Sequence, residues 1–111
     1  MKKISVLEII GKPNAMSRIA GNLVFDALKP IIDSREKVIL SFEGLKVCTA
    51  SFINSSIGKL YGHFGIDLDN YLELTNVNTF WQEHIDEDRF LYTNPEEMKK
   101  HLDALEYALT Q

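Results

Sequence analysis

Residues 38–42 (VILSF) constrain the fold more than any other segment of the chain. This nearly uninterrupted run of apolar and β-branched residues predicts a strand with both faces covered, which belongs at the centre of a sheet. Further strands are predicted at residues 3–10 (KISVLEII), before a turn at residues 11–14, and at residues 71–75 (YLELT). The segments between and after these strands must then supply the helices that cover the sheet.

Apolar residues at three- and four-residue spacing predict a first helix between the first two strands. Asn14 is its expected N-cap, and Pro30 should kink or end it near Lys29, because proline lacks an amide hydrogen. Its expected apolar stripe consists of Ile19, Ala20, Leu23, Val24, Ala27, Leu28 and Ile31.

A second helix is predicted after the central strand. Glu43 and Gly44 form the expected turn, and the helix should run from about Ser51 to a stop at Gly65, since glycine commonly ends helices. Its expected core contacts are Ile53, Ile57, Leu60, Tyr61 and Phe64.

Two more helices follow the last strand. Thr79 should open the third, because Gln82 stands at capping-box spacing, and its expected contacts are Phe80, Trp81, His84 and Ile85. Asn94 should cap a C-terminal helix with Pro95 at its first position and two glutamates in its first turn. Its predicted apolar stripe consists of Met98, Leu102, Leu105 and Leu109.

Strands that alternate with helices predict an α/β fold, with a single-layer, mixed or mostly parallel sheet and packed helices. The 111 residues are enough for one domain, predicted to span residues 1–111. The hydrophobic fraction of 45% is typical of a soluble globular protein, and the apolar start is too short for a signal peptide or a membrane span. Because Cys48 is the only cysteine, we expect a reducing cytoplasm and no disulfide.

Charge is unevenly distributed along the chain. Residues 1–60 carry nine Lys or Arg against five Asp or Glu, whereas residues 61–111 carry three against eleven. This asymmetry predicts two surfaces of opposite potential, one of which could steer a partner. The basic residues are scattered and lack interleaved aromatic residues, so we do not expect nucleic-acid binding.

Signatures of catalysis are missing. The sequence contains no glycine-rich phosphate loop, dinucleotide fingerprint or nucleophile elbow, and the three histidines are too far apart for paired metal ligands. We therefore expect neither an enzyme nor a metal or cofactor site. A cluster of acidic residues is expected to be a solvated helix end: Glu83, Asp86, Glu87 and Asp88.

Thr49 and Ser51 lie where the second helix begins. A hydroxyl there can cap the helix by accepting an amide hydrogen, and the same position also favours a phosphate. Cys48, which precedes them, is either a small buried residue or a thiol made reactive by the helix start. The sequence favours capping and burial but leaves both alternatives open.

Five segments resemble the STAS-like domain family of bacterial proteins. They are SRIAG at 17–21, with Arg18 and Gly21; SFEGL at 41–45, with Phe42, Glu43 and Gly44; TASF at 49–52, with Phe52; GKLYG at 58–62; and VNTFWQEHI at 77–85. The resemblance extends over about residues 4–90. It implies a STAS-like fold, in a family whose own function is mostly unassigned.

The resemblance also implies a fold similar to that of the anti-sigma-factor antagonists, which dock on a histidine-kinase-like ATPase. That ATPase phosphorylates a serine at the start of the equivalent helix. The antagonist pattern aspartate, serine, serine, glycine falls on Thr49, Ala50, Ser51 and Phe52, so the switch serine corresponds to Ala50. Ser41 likewise replaces the aspartate that usually precedes FEG in the STAS-like family.

Two functional hypotheses follow. The first is a non-enzymatic module that binds a protein partner, such as a histidine-kinase-like ATPase, through residues 46–50 and the exposed side of the second helix. Thr49, Ser51, Asn54, Ser55 and Lys59 would supply its polar contacts. The second is a sensor of a small anion or nucleotide held at the start of the same helix.

Overall fold

The computed structural model describes all residues 1–111 and has a mixed α/β fold. Its strands are β1 (Lys2–Ser5), β2 (Asn14–Ala15), β3 (Val38–Ser41), β4 (Val47–Cys48) and β5 (Leu72–Thr75). Its α-helices are α1 (Val6–Ile10), α2 (Arg18–Asp33), α3 (Ala50–Ile53), α4 (Lys59–Phe64), α5 (Thr79–Thr93) and α6 (Pro95–Leu109). A π-helical turn (Asn54–Gly58) joins α3 to α4, and a 3₁₀ segment (Gly65–Asn70) follows α4.

The main sheet has the order β1-β3-β5, and both of its strand pairs are parallel. The central position predicted for residues 38–42 is therefore confirmed. The prediction that both faces of this strand are covered is confirmed only in part, because on the second face Ser41 is buried but Ile39 is not. Val38 and Leu40 are fully buried, whereas Ile39 is partly exposed and lies between the exposed side chains of Lys3 and Glu73. Strands β2 and β4 form a separate parallel pair.

The strand predicted at residues 3–10 ends early, at Ser5. The Ser5 hydroxyl accepts a hydrogen bond from the backbone N–H of Glu8 at 3.2 Å and caps α1. Gly11 ends that helix in the left-handed region, with a φ of 74°. A short polar residue inside an apolar run thus converts half of the predicted strand into a helix, because its side chain satisfies a free amide at the helix start.

The first predicted helix is present as α2, but its cap and exposed face differ from the prediction. Ser17, not Asn14, caps it, with the hydroxyl accepting from the N–H of Ala20 at 3.0 Å. The helix continues through Pro30 to Asp33. Two residues of the predicted apolar stripe face solvent, with exposed fractions of 74% for Ile19 and 47% for Leu23.

The helices α3 and α4 and the π-helical turn between them form one continuous segment, which we call the interrupted helix (residues 50–64). It lies between α2 and α5 and packs against both. The largest fully buried side chains form the core: Phe42, Phe52, Leu28, Ile32, Leu40, Ile53, Ile57, Leu60, Leu68 and Ile85. The core thus forms where these three helices meet the sheet.

The last two helices confirm the predicted segments but not their caps. Asn78, rather than Thr79, caps α5 by accepting the N–H of Trp81 at 2.8 Å. Phe80, a predicted core contact, is 64% exposed. The Asn94 side chain caps nothing at α6 and instead donates to the carbonyl of Phe90 at 2.7 Å. No residue of α6 is buried.

None of these helices has both the length and the apolar composition that a membrane span requires.

Candidate functional site

The start of the interrupted helix is fixed by Thr49. Its hydroxyl accepts from the N–H of Phe52 at 3.3 Å and donates to the carbonyl of Met16 at 2.8 Å. Thr49 therefore caps α3 and also ties it to the segment before α2. Ser51 is exposed, and its hydroxyl takes no part in capping, so the prediction that Ser51 acts first as a cap is wrong.

The π-helical turn is stabilised by two serines. Ser55 donates to the carbonyl of Ser51 at 2.7 Å, and the buried Ser56 donates to the carbonyl of Phe52, also at 2.7 Å. The N–H of Lys59 reaches the carbonyl of Asn54, five residues earlier, which defines the wider turn. The serine hydroxyls bind carbonyls near the point where the α-helical register changes. Such turns are frequent at functional sites.

Gly21 of α2 allows a close approach to the interrupted helix. A Cβ at this position would overlap the Ser55 hydroxyl and lie 2.7 Å from the carbonyl oxygen of Phe52. Only glycine fits here without displacing backbone. The contact sets the spacing of the two helices and positions Arg18, at the first turn of α2, beside the interrupted helix.

A groove of about 530 Å³ opens along this contact, and we call it the polar groove. Its lining comes from α2, the interrupted helix and α5: Arg18, Asn22, Ser51, Asn54, Ser55, Lys59 and Tyr92. It contains four of the five predicted partner-binding residues and one residue of the predicted SRIAG motif. Thr49 does not line it but fixes the helix start beside it.

The two cations of the polar groove have no acidic partner. Arg18 is exposed and forms no ion pair. Lys59 has its Nζ 4.2 Å from the centre of the Phe25 ring and 3.4 Å from Oδ1 of Asn22. By contrast, Arg89 of α5 is paired with Asp69. The groove therefore presents two cations that form no ion pair within the chain.

Asp88 of α5 lies beneath the polar groove and is only 8% exposed. The prediction of a solvated acidic helix end is wrong for this residue. The signal that sequence reasoning missed is the spacing of Trp81, Ile85, Asp88 and Tyr92, which puts Asp88 on the inner stripe of α5. A Cβ at Gly58 would lie 2.9 Å from its Oδ2, so that glycine makes room for the carboxyl group.

Asn54 supplies the hydrogen bonds of this buried carboxyl group. The orientation of the Asn54 amide is assigned from its partners: its nitrogen donates to Oδ1 and Oδ2 of Asp88 at 2.9 and 2.5 Å and to the carbonyl of Ala50 at 3.3 Å. Burial first, and then the charge of Glu87, raise the pKa of Asp88 to about 7. The bonds from Asn54 act in the opposite direction, since they stabilise the ionised form.

The SFEGL residues lie away from the polar groove. Phe42 is buried, and its ring centre is 6.2 Å from that of Trp81. Glu43 is exposed, and Gly44 takes a φ of 84° in a turn where a Cβ would lie 2.8 Å from the Leu7 side chain. Phe52, from the TASF segment, is fully buried. Among these four residues only Glu43 presents a charged side chain to solvent, and none of the four lines the polar groove. Phe52 lies next to the groove only through its backbone carbonyl, which faces Gly21.

Cys48 is buried at the end of β4, and burial raises its pKa to about 12. Because the thiolate is the reactive form, we expect native Cys48 to react with a thiol reagent roughly a thousandfold more slowly than a free cysteine. Labelling in increasing urea should reveal reaction only as the protein unfolds. Fast labelling of the folded protein would instead show that the helix start activates the thiol.

Residues 20–79 match the sequence model of the STAS-like domain of unknown function (DUF4325). The chain belongs to this family. The match includes most of the polar groove but excludes Arg18 and Tyr92, so it covers less than the resemblance over residues 4–90 implied. Searches of curated proteins and of solved structures returned no significant match. Membership of the STAS-like family therefore explains the fold and leaves the function to be inferred from the groove.

Proposed function

We propose that this STAS-like protein is a non-enzymatic interaction module whose polar groove receives an acidic segment of a protein partner. The observation that carries the proposal is the pair of cations Arg18 and Lys59, which come from different elements, share one groove and lack an acidic partner. Charge complementarity of this kind steers association and fixes orientation. The neighbouring hydroxyl and amide groups can complete hydrogen bonds to carboxylates.

The class of partner is suggested by the resemblance to anti-sigma-factor antagonists, which dock on a histidine-kinase-like ATPase. Ala50 stands at the position of their switch serine, so the same switch cannot operate here. Ser51, the next residue, is exposed and lines the polar groove. A phosphate on Ser51 would place negative charge beside Arg18 and Lys59 and would compete with an acidic segment.

Photocrosslinking in the native cell tests the proposal. A photoreactive amino acid at Ser51 is expected to capture one defined partner, whereas the same residue at Glu83, an exposed position of α5, should not. Mass spectrometry of the adduct should identify an acidic segment of that partner. Equal capture from both positions, or none from Ser51, would contradict docking in the groove.

Ser51→Asp provides a second test with the captured partner. The added charge should weaken binding at least about tenfold while the melting temperature stays nearly constant, because an acidic side chain is tolerated in the first turn of a helix. Thr79→Asp, an exposed first-turn residue of α5, is the matched control and should leave binding unchanged. Calorimetric titration of both variants measures the difference.

A second candidate function is recognition of a small anion. The volume of the polar groove falls within the range of small-ligand sites, and all seven of its lining residues carry polar or charged groups, including the Tyr92 hydroxyl, that could hold an anion. Inorganic phosphate and ATP, added in a thermal-shift assay, should raise the melting temperature if either binds the folded state. A rise that Arg18→Glu abolishes would favour the sensor over the docking module, and no rise would count against it.

A further inference from the structure

The C-terminal helix α6 carries an apolar stripe that nothing in the chain covers. Leu102, Leu105 and Leu109 are exposed to 56%, 48% and 87%, and Met98 is only partly covered near the junction with α5. Helix α6 packs chiefly against α5. A stripe of large apolar side chains left in water favours association, because burying it removes apolar surface from solvent.

The spacing of this stripe fits a second copy of the same helix. Met98, Leu102, Leu105 and Leu109 are separated by four, three and four residues, which is the pattern of a coiled-coil seam. The pattern reads the same in both directions. Two copies placed antiparallel would therefore pack Met98 against Leu109 and Leu102 against Leu105, twice over, around one two-fold axis.

The charges beside the stripe also fit an antiparallel copy. Lys99 follows Met98 and Glu106 follows Leu105, so both flank the stripe on the same side. Neither forms an ion pair within the chain. In an antiparallel pair, Lys99 of one helix lies near Glu106 of the other. The two-fold axis makes this contact twice, so the pair gains two symmetric ion pairs.

We infer that α6 forms an antiparallel helix pair with α6 of a second copy, making this STAS-like protein a homodimer. The contact lies on a different element from the polar groove, so dimerisation would present two grooves in one assembly. A helix of 15 residues is about 22 Å long, so the interface is at the small end of specific interfaces and the dimer should dissociate on dilution.

Sedimentation equilibrium of the full chain over about a hundredfold range of concentration tests the inference. The wild type is expected to shift from monomer to dimer, and Leu102→Lys with Leu105→Lys should remain monomeric throughout. Tyr107→Lys, at an exposed position outside the stripe, should dimerise as the wild type does. A wild type that stays monomeric, or leucine variants that still dimerise, would overturn the inference.

A charge swap tests the antiparallel orientation. Lys99→Glu or Glu106→Lys alone should weaken the dimer several-fold, because like charges then face each other across the seam. The two changes together should restore it, because the ion pairs form again with their charges exchanged. Because no residue of α6 is buried, the melting temperature of the variants at high dilution should equal that of the wild type. Failure of the double variant to recover would rule out this pairing.

Discussion

Replacing Gly21 by alanine is expected to lower the free energy of unfolding by about 2–3 kcal/mol. The new methyl group would overlap the Ser55 hydroxyl and lie 2.7 Å from the carbonyl oxygen of Phe52. A serine side chain can rotate away, but the carbonyl belongs to the backbone of the interrupted helix and can move only if that helix shifts. Urea denaturation of both proteins measures the loss.

Gly62→Ala is the matched control for this substitution. Gly62 also lies in a helix, but a Cβ there meets only the Tyr92 side chain, at 3.1 Å. Alanine gains about 0.5–1 kcal/mol over glycine in a helix interior, so this variant should be neutral or slightly more stable.

In Gly21→Ala, adding Ser55→Gly should restore only part of the lost stability, because the clash with the Phe52 carbonyl remains. Equal effects at Gly21 and Gly62 would contradict the close approach of α2.

Asp88→Asn is expected to stabilise the protein by about 1–3 kcal/mol at pH 8, and the gain should vanish near pH 4. Burial favours the protonated carboxyl group and raises its pKa to about 7 in the folded state, above the ordinary value of 3.8. The folded state therefore binds more protons than the unfolded state between these two pKa values. Stability contributed by the neutral acid is fully present below about pH 4 and is lost as the pH rises towards 7.

Chemical denaturation at a series of pH values measures this dependence. The free energy of unfolding of the wild type should fall between about pH 4 and pH 7, while that of Asp88→Asn should fall less. Asp26→Asn, at an exposed residue of α2 without an ion pair, should follow the wild type. If Asp88→Asn instead lowers stability at pH 8, the Asn54 bonds must hold Asp88 ionised in the native protein.

The order of the three main-sheet strands and of the four longest helical segments could be predicted from the sequence, since hydrophobic periodicity reports which face of an element is buried. Helix α1 and the β2–β4 pair could not, because each is too short to show a period. Helix starts are harder to predict, because several short polar residues near each start could act as the N-cap. The observed N-caps are Ser17 rather than Asn14, Thr49 rather than Ser51, and Asn78 rather than Thr79. In each case the side chain that reaches the free amide depends on backbone angles that periodicity does not reveal.

The polar groove could be predicted only in part. Ser51, Asn54, Ser55 and Lys59 share one helix, so their offset from its apolar stripe was visible in the sequence. Arg18 and Asn22 join them in one groove because α2 packs against the interrupted helix across Gly21, and Tyr92 joins them because α5 packs on the other side. Neither packing contact can be read from the sequence. The π-helical turn has no simple sequence signal. Gly58, at its end, makes room for the side chains of Asp88 and Tyr92.

The affinity of the captured partner for three proteins tests the central claim most directly. These are the wild type, Arg18→Glu with Lys59→Glu, and a control with the same change in charge, Lys2→Glu with Lys37→Glu. The control positions are exposed: Lys2 begins β1, and Lys37 precedes β3. The groove variant should bind about a hundredfold more weakly and lose most of its dependence on salt, and the control should bind nearly as well as the wild type. Equal loss in both variants, or an unchanged affinity of the groove variant, would contradict docking of an acidic segment between Arg18 and Lys59.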